Sequence, residues 1–422
     1  MIILLLIIRG DKEKMKKAML LVLTILLSLQ FLSANSNSEA KSVEENVTIE
    51  MWTKEGDADG TLQWTNKMVD QFMAANPSIT VEIVKKTTVD ELREDFQTAS
   101  LAGDVPDLLW TVSNHLGPFL TADLIMPLDD VVDTSRFADT LSVNGKAWSV
   151  PMSKGNHLML LYNKDLITTP PTTTDELIAM GQELTSGENY GLVYNQTEPF
   201  WLVPWLGGFN GKVFAADGVT PTLDTKEMTE TLQFVSDLKN KYKIVPQECD
   251  YNAADTLFKE GKAAMIINGD WSLGDYEKLF GDKLGVTRIP MVSSTKTWPK
   301  PYTAGIYFMV PKDISEAHTK AVAKLINYFT SKEVQYEQVN DFNRFPGTKE
   351  AYDAPKISDN EILKGSAYQL QAGTPMPTVL EMRAVWDGIK PELAQVLAGN
   401  ETPEEAVVLM QESAVAGIAA QK

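Results

Sequence analysis

The sequence predicts a two-lobed α/β protein, and its length and two local patterns support that fold class. The chain has 422 residues, more than a single hydrophobic core usually holds. Apolar and polar residues alternate in Val47–Trp52 and again in Ile79–Ile83, as they do in strands. Between these segments the apolar residues of 62–73 follow helical spacing. The order strand, helix, strand predicts a parallel sheet covered by helices.

A targeting segment precedes the predicted fold. Residues 15–34 combine a basic start, an apolar run and a small-residue cleavage site, which is typical of a secretory signal peptide. We therefore expect residues 1–34 to be a signal peptide, with the true start at Met15. A transmembrane anchor is the alternative, although the apolar run is short for a bilayer span. Residues 35–46 are polar, and we expect a flexible leader there.

Further elements follow in order. A Thr with a Glu three residues later is a capping-box pattern, and it predicts helix starts at Thr88, Thr173 and Thr402. The first of these helices gives way to a short apolar strand, Pro106–Trp110. Apolar residues in register on one face predict an amphipathic helix in Thr225–Tyr242.

Composition limits the partners. The formal net charge is −19 at pH 7, from 57 acidic and 38 basic side chains. Nucleic-acid binding needs clustered Lys and Arg, so we expect no nucleic-acid partner. A neutral ligand is compatible with this charge. Export would place the protein in the periplasm, or outside the cell in association with its surface.

Catalytic and metal-binding patterns are weak. The sequence has no P-loop, GxGxxG or HExxH motif. Ser272 and the run Ser293–Lys296 match serine-nucleophile patterns only in part, so we interpret both as turn or loop residues. The histidines stand far apart in sequence, and Cys249, the single cysteine, cannot form an internal disulfide. We expect no catalytic residue, metal or cofactor, and no enzyme activity.

An acidic turn, Glu55–Gly60, follows the first strand. It resembles the opening of a calcium loop, but Asn66 stands where the closing bidentate Glu is needed. Ligands of open parallel sheets lie at the carboxyl ends of strands. We therefore interpret the turn as part of a ligand site, with Asp57 as a candidate binding residue. A solvated turn is the alternative.

Several segments, taken in order, resemble the motifs of bacterial maltose/maltodextrin-binding proteins, the sugar-capturing components of ATP-driven importers. AGDVPDLLW resembles TGDGPDI, LLYNKDL with a later Pro-Pro resembles IYNKDL…PP, and EPF resembles EPY. FKEG through INGDW resembles FxKGxxAMxINGxW, and TPMP with a later Trp resembles MPxxPxMxxxW. The segments are Ala102–Trp110, Leu160–Pro171, Glu198–Phe200, Phe258–Trp271 and Thr374–Trp386.

The resemblance runs almost from Val47 to the end of the chain, and it implies the type II periplasmic-binding-protein fold. Each lobe is then a mainly parallel sheet covered by helices, and hinge segments join the lobes. The expected ranges are 47–154 plus 308–356 for the N-terminal lobe, 159–302 plus 360–422 for the C-terminal lobe, and 155–158, 303–307 and 357–359 for the crossings.

Sugar rings present apolar C–H faces and hydroxyl groups, so a sugar site needs flat aromatic rings together with carboxylates or amides. Trp271 and Trp386 are candidate stacking platforms. For Trp201 and Trp205 a place in the core and a place in the site are equally compatible with the sequence, and Trp64 is interpreted as core. Pattern and resemblance together give these candidate ligand-binding residues: Asp57, Trp110, Asn114, His115, Asn156, His157, Glu198, Phe200, Asp270, Trp271, Met376, Trp386 and Lys390.

Departures from the family bear on the sugar. Asn114-His115 replaces an acidic-basic pair, Asn156 or His157 replaces an acidic residue, and Lys390 is the basic residue near the C-terminal tryptophan. The resemblance implies a maltodextrin-like oligosaccharide as ligand, the permease subunits of an ABC importer as partner, and a monomer. Another oligosaccharide is the alternative, followed by a secreted glycoside hydrolase and by a surface adhesin or chemoreceptor partner.

Overall fold

The computed structural model describes residues 46–56 and 60–421. The predicted signal peptide, all of the predicted leader except Asn46, and the candidate residue Asp57 lie outside the described residues. Within the described ranges, none of the helices combines the length and the apolar character that a membrane span requires.

Strands and helices alternate along much of the described chain. The strands are β1 Val47–Thr53, β2 Ile79–Lys85, β3 Leu108–Val112, β4 Ile125–Met126, β5 Leu141–Val143, β6 Lys146–Gly155, β7 Leu158–Asn163, β8 Tyr190–Tyr194, β9 Ala263–Gly269, β10 Leu284–Thr287, β11 Tyr302–Pro311, β12 Phe345–Pro346 and β13 Thr374–Pro375. The α-helices are α1 Thr61–Ala75, α2 Val89–Ala102, α3 Leu116–Thr121, α4 Thr174–Leu184, α5 Val203–Gly208, α6 Lys226–Asn240, α7 Tyr251–Lys259, α8 Leu273–Phe280, α9 Glu316–Phe329, α10 Lys332–Phe342, α11 Pro355–Asp359, α12 Glu361–Leu370, α13 Met382–Ala398 and α14 Pro403–Ala420.

The predicted helix starts are confirmed. The Thr88 side chain accepts a hydrogen bond from the backbone N–H of Glu91, which begins α2. Thr173 and Thr402 each form a complete capping box with the Glu three residues later. These side chains satisfy backbone N–H groups that have no partner inside the helix. The predicted amphipathic helix also forms, as α6, with its apolar face buried.

The described strands form two separate sheets. The first runs in the order β12-β6-β11-β3-β1-β2, with β4 and β13 paired to β11 and β5 paired to β6. The second runs in the order β10-β7-β9-β8. Strands β6 and β7 are separated only by Asn156 and His157, yet they belong to different sheets. The chain therefore passes from one sheet to the other at these two residues.

The sheets are mixed, which corrects the prediction that each would be mainly parallel. β1 pairs in parallel with β2 and β3, and β8 pairs in parallel with β9. β11 runs antiparallel to both β3 and β6, and β7 runs antiparallel to both β9 and β10. β7 enters the second sheet directly from β6 of the first, through Asn156 and His157 and not through a strand-helix-strand unit, so its direction is not constrained to be parallel.

Each sheet carries its own hydrophobic core. Trp64 is buried in the core of the first sheet, where its indole lies edge-on to the ring of Phe342. This confirms its interpretation as a core residue. Trp205 is buried in the core of the second sheet, whereas Trp201 is buried there and also reaches a cleft. The two-lobed α/β fold class is therefore confirmed.

Candidate functional site

A cleft with a volume of about 690 Å³ lies between the two sheets and is lined mainly by turns and helices that follow their strands. Much of its wall follows the carboxyl ends of parallel strands, which are β1, β2 and β3 on one side and β8 and β9 on the other. The sequence pattern predicted a ligand site at such strand ends. The lining residues are Lys54, Glu55, Gly56, Thr88, Val89, Asp90, Val112, Asn114, Asn156, Glu198, Pro199, Phe200, Trp201, Tyr251, Trp271, Met376, Arg383, Trp386, Asp387 and Lys390.

An aromatic wall occupies the side of the cleft formed by the second sheet. Trp271 lies in a 3₁₀ turn directly after β9, and its Nε1 donates a hydrogen bond to the hydroxyl of Tyr251 at 3.1 Å. Its ring centroid lies 6.0 Å from that of Trp201 and 6.3 Å from that of Phe200. Trp386 on α13 also lines the cleft. Because the indole N–H and the neighbouring rings fix the Trp271 side chain, its ring is held in place before a ligand binds.

A buried carboxylate lies on the opposite wall. Glu55 is almost fully buried, and its Oε2 accepts hydrogen bonds from both terminal nitrogens of Arg344, each at 3.2 Å. The Lys54 ammonium lies 3.7 Å from the other oxygen, Oε1. Burial alone would raise the pKa of Glu55, but the positive charges of Arg344 and Lys54 outweigh it and lower the pKa to about 2. Glu55 is therefore a carboxylate at neutral pH.

A second ion pair lies beside the aromatic wall. Lys390 on α13 donates a hydrogen bond to a carboxylate oxygen of Glu198, which precedes the 3₁₀ turn Pro199–Trp201. Both residues line the cleft and both side chains are partly exposed. The pair presents a carboxylate oxygen and an ammonium group side by side to anything that enters.

A third set of paired charges lies where α2 faces α13, and it is centred on Arg383. Arg383 donates a hydrogen bond to Asp387 on its own helix at 2.7 Å and another to Asp90 on α2 at 3.1 Å. Burial would raise the pKa of Asp90, but the guanidinium of Arg93 and that of Arg383 lower it below its ordinary value. The wall of the cleft therefore carries charges of both signs, largely paired with one another.

The crossing between the sheets touches the site directly. Asn156 lines the cleft and has a left-handed backbone, with φ of 44°. Its backbone N–H donates a hydrogen bond to Oδ2 of Asp270 at 2.9 Å. The preceding Gly155 has φ of 121°, and a Cβ there would come within 2.1 Å of that same oxygen. Asp270 was predicted to contact the ligand, but the structure places its carboxylate buried behind the cleft lining, where it holds the crossing in position.

Trp110 also differs from its predicted place. Its indole is almost fully buried in the core of the first sheet, with ring centroids 5.3 Å from Phe308 and 5.2 Å from Phe329. Every residue of β3 is buried, because this central strand is covered on both faces. The structure therefore corrects the prediction of Trp110 as a ligand-binding residue.

The two predicted histidines lie behind the cleft wall. Nδ1 of His115 hydrogen-bonds to the hydroxyl of Thr111 at 2.8 Å, and Nε2 of His157 lies 3.1 Å from the carbonyl oxygen of Ser366. Burial lowers the pKa of His115 to about 3, helped by the positive charge of Arg93, and burial also lowers the pKa of His157. The structure therefore places both rings in the core and not on the cleft lining where they were expected.

The structure places the other described candidates together on the cleft wall: Asn114, Asn156, Glu198, Phe200, Trp271, Met376, Trp386 and Lys390. Glu55 belongs to the turn that was predicted to form part of the site, although it was not singled out as a binding residue. Sequence reasoning missed several other neighbours on the wall: Lys54, Thr88, Val89, Asp90, Val112, Tyr251, Arg383 and Asp387. Some signals were available. Lys54 and Glu55 lie just before Asp57 in sequence, and Arg383 and Asp387 lie on the same helix as Trp386.

Comparison with known proteins gives the family. The sequence profile of the bacterial extracellular solute-binding proteins matches residues 67–365, which is more than half of the chain. The chain belongs to this family. Its resemblance to maltose/maltodextrin-binding proteins is also confirmed. Membership of an extracellular family means that the solute-binding protein acts outside the cytoplasm.

Relatives and solved structures refine the comparison. The chain is 38% identical to the maltose/maltodextrin-binding domain MalE from Bdellovibrio bacteriovorus, solved bound to maltotriose, with a TM-score of 0.85 over 88% of this chain and 100% of that one. It is 26% identical to the maltotriose-binding protein of Pyrococcus abyssi, over 80% of this chain and 75% of that protein. It is 23% identical to a galactooligosaccharide-binding protein of Bacillus subtilis, over 95% and 97% of the two chains.

Proposed function

We propose that this solute-binding protein captures an α-linked gluco-oligosaccharide in the cleft and delivers it to the permease subunits of an ABC importer. The observation that carries the proposal is the aromatic wall around Trp271, which faces carboxylate and amide groups across the same cleft. The maltotriose-bound structure at 38% identity supports the same ligand class.

Energetics favour a site of this composition. Covering ~50 Å² of a sugar face at about 25 cal/mol per Å² contributes roughly 1 kcal/mol for each stacked ring. Micromolar binding requires about −8 kcal/mol, so stacking on Trp271 and Trp386 must be joined by several hydrogen bonds. Glu198, Asn114 and Asn156 line the cleft and supply polar groups for them.

The charge balance of the cleft favours a neutral ligand. Glu55 is paired with Arg344, Glu198 with Lys390, and Asp90 with Arg383. A free anion or cation would have to compete with these pairs. A neutral polyhydroxyl ligand can instead accept from the cations and donate to the carboxylates.

Capture requires lobe closure. We take residues 47–154 plus 308–356 as one lobe and 159–302 plus 360–422 as the other, with crossings at 155–158, 303–307 and 357–359. Closure about the crossings would cover a ligand from both sides, and the closed form would dock on the importer as a monomer. The location would be the periplasm or the cell surface after removal of the signal peptide.

Binding of another oligosaccharide is the second candidate. Asn114 and Asn156 line the cleft at positions where maltodextrin-binding relatives are expected to carry charged hydroxyl partners. A neutral amide both donates and accepts, so it tolerates a different hydroxyl orientation. A galactooligosaccharide is the comparison ligand for this case, because a relative is named for that class.

A ligand panel tests both candidates. Thermal unfolding is followed with maltotriose, a galactooligosaccharide, an amino acid and spermidine, each added at high concentration. A ligand present at 100 times its Kd adds ~2.7 kcal/mol of stability. We expect maltotriose to raise Tm, and calorimetry then gives its affinity. A rise with spermidine or the amino acid, and none with any sugar, would contradict sugar binding.

A product assay separates a binding protein from a glycoside hydrolase. A hydrolase needs two carboxyl groups about 5–9.5 Å apart on either side of the scissile bond, whereas Glu55 and Glu198 are each engaged with a cation. Prolonged incubation with maltodextrins should leave their chain lengths unchanged by chromatography. Accumulation of shorter products would overturn this expectation.

A further inference from the structure

Two helices that belong to different cores meet at one side of the cleft. Leu92 and Phe96 anchor α2 in a core of the first sheet, whereas Val385 and Ile389 anchor α13 in the core of the second. A contact between α2 and α13 therefore joins the two lobes without passing through the crossings. Arg383 makes such a contact.

The contact is built from charged groups of alternating sign. Nη1 of Arg383 lies 3.1 Å from Oδ1 of Asp90, and its Nη2 lies 3.8 Å from Oε1 of Glu94, both on α2. Asp90 and Glu94 also bind Arg93, at 2.6 Å and 2.9 Å. The two carboxylates of α2 thus lie between one guanidinium from their own helix and one from the opposite lobe.

The network is anchored on both sides. The Arg93 side chain is only 8% exposed, so it fixes Asp90 and Glu94 from beneath. On α13, Asp387 accepts a hydrogen bond from Nε of Arg383 at 2.7 Å, which orients the guanidinium toward α2. Fixed partners lose less side-chain entropy when the pair forms, and networks are stronger than isolated surface pairs.

We propose that Arg383 is a positioning residue that holds the two lobes together across the cleft and raises the closed fraction of the protein before a ligand binds. The inference rests on the proposed function in that it assumes capture by lobe closure. Nε and Nη1 of Arg383 are both engaged with carboxylates. Carboxylates are stronger acceptors than neutral hydroxyl groups, so these two nitrogens favour their protein partners over the sugar, and the main effect of the residue is on the lobe arrangement.

The expected effect is moderate, because the partners are partly exposed. Partly exposed ion pairs of this kind are expected to change the equilibrium constant between the open and the closed form by about two- to fivefold. Apparent affinity scales with the fraction of the binding-competent form, so loss of the pair would weaken sugar binding by no more than that factor. Opening of the lobes would also become easier at high salt, because the screening length of electrostatic interactions falls to about 3 Å at 1 M salt.

Interlobe distances in the sugar-free protein provide the test. Spin labels are placed at exposed positions on the two lobes through Asp70→Cys on α1 and Glu183→Cys on α4. The native Cys249 is buried, and burial raises the pKa of its thiol to about 11, so it labels poorly. Pulsed electron paramagnetic resonance then gives the distribution of distances. The variant is Arg383→Gln, and Arg383→Lys tests rescue by a shorter cation.

The matched control is Arg136→Gln. Arg136 also binds a carboxylate, that of Glu350 at 2.7 Å, but both residues lie within the same lobe. We expect Arg383→Gln to shift the sugar-free distribution toward the open form, 1 M salt to do the same in the parent protein, and Arg136→Gln to leave it unchanged. Arg383→Lys should restore part of the closed population.

Two outcomes would overturn the inference. One is an unchanged sugar-free distribution in Arg383→Gln at low salt, whatever happens to affinity, because a loss of affinity alone would indicate direct ligand contact. The other is an equal shift in Arg136→Gln, which would indicate a general charge effect. Failure of the proposed function is recognised separately, since the parent protein would then bind no sugar while the effect of Arg383 on the distances persisted.

Discussion

The indole of Trp271 lies directly against the backbone of Gly269. A Cβ added at Gly269 would come within 2.1 Å of the six-membered part of the indole ring. Gly269 ends β9 with an extended backbone, φ −96° and ψ 169°, which any residue can adopt. The glycine is therefore needed for the position of the tryptophan ring and not for the course of the chain.

Gly269→Ala should weaken sugar binding while leaving the fold intact. The new methyl group must push the indole away from Gly269, and Tyr251 would lose its hydrogen bond from Nε1. We expect a loss of about 1–2 kcal/mol in binding free energy by calorimetry, within the range for disturbing an aromatic contact.

The control for this variant is a double substitution. Added to Trp271→Ala, the same Gly269→Ala change should have little further effect on affinity, because the ring that it displaces is already absent. Equal losses in the two backgrounds would contradict the steric explanation.

Trp271→Ala should itself reduce affinity by on the order of 1–3 kcal/mol, as truncation of an interfacial aromatic does. Trp271 is only partly buried, so we expect a smaller loss of stability than the 3–5 kcal/mol typical of a core tryptophan. Calorimetry and denaturant unfolding measure the two effects. Trp298→Ala is the control, because Trp298 packs against Tyr368 away from the cleft. An unaltered affinity in Trp271→Ala would remove this residue from the site.

The position of Trp271 could be predicted from the sequence because it depends on the residues just before it in the chain. An apolar strand, Ala263–Ile267, followed by a short turn, is enough to place Trp271 at a sheet end. The ionic contacts of Glu55 and Arg383 could not be predicted in the same way. Their ionic partners Arg344 and Asp90 stand 289 and 293 residues away in sequence, and no local pattern encodes a contact between such distant side chains.

For the fold, too, the local elements could be predicted from the sequence and the long-range arrangement could not. Strands β1 and β2 and the helices beginning after Thr88 and Thr173 follow from periodicity and capping. The insertion of β11 between β3 and β6 does not, because strand order depends on long-range pairing. Trp110 was misplaced for a related reason: in a strand covered on both faces, a site residue and a core residue have the same apolar neighbours.

Acid stability should depend on Glu55. Its pKa of about 2 in the folded protein lies below the ordinary value of 4.5, so its stabilising contribution is present above about pH 4.5 and is lost as the pH falls toward 2. Glu55→Gln removes this dependence together with the buried ion pair to Arg344. We expect the free energy of unfolding of Glu55→Gln to be lower than that of the parent protein by about 3–5 kcal/mol at pH 7. On acidification, the variant should lose less further stability than the parent protein does.

Denaturant unfolding of both proteins from pH 7 to pH 3 measures this difference. Glu350→Gln is the control, since Glu350 pairs with an arginine at the protein surface, where ion pairs contribute little. Parallel pH profiles for the parent and for Glu55→Gln would show that another carboxylate dominates acid unfolding.

His115 should remain neutral well below the pH at which a free histidine titrates. Burial lowers its pKa from 6.5 to about 3, and a histidine with a lowered pKa contributes stability that is complete above about pH 6.5 and is lost as the pH falls toward 3. Nuclear magnetic resonance of histidine-labelled protein should therefore show no titration of the His115 ring between pH 7.5 and about pH 5. His115→Gln identifies its signal by subtraction. A midpoint near pH 6.5 in the folded protein would mean that the ring is hydrated, and that the wall behind Asn114 is open to the cleft.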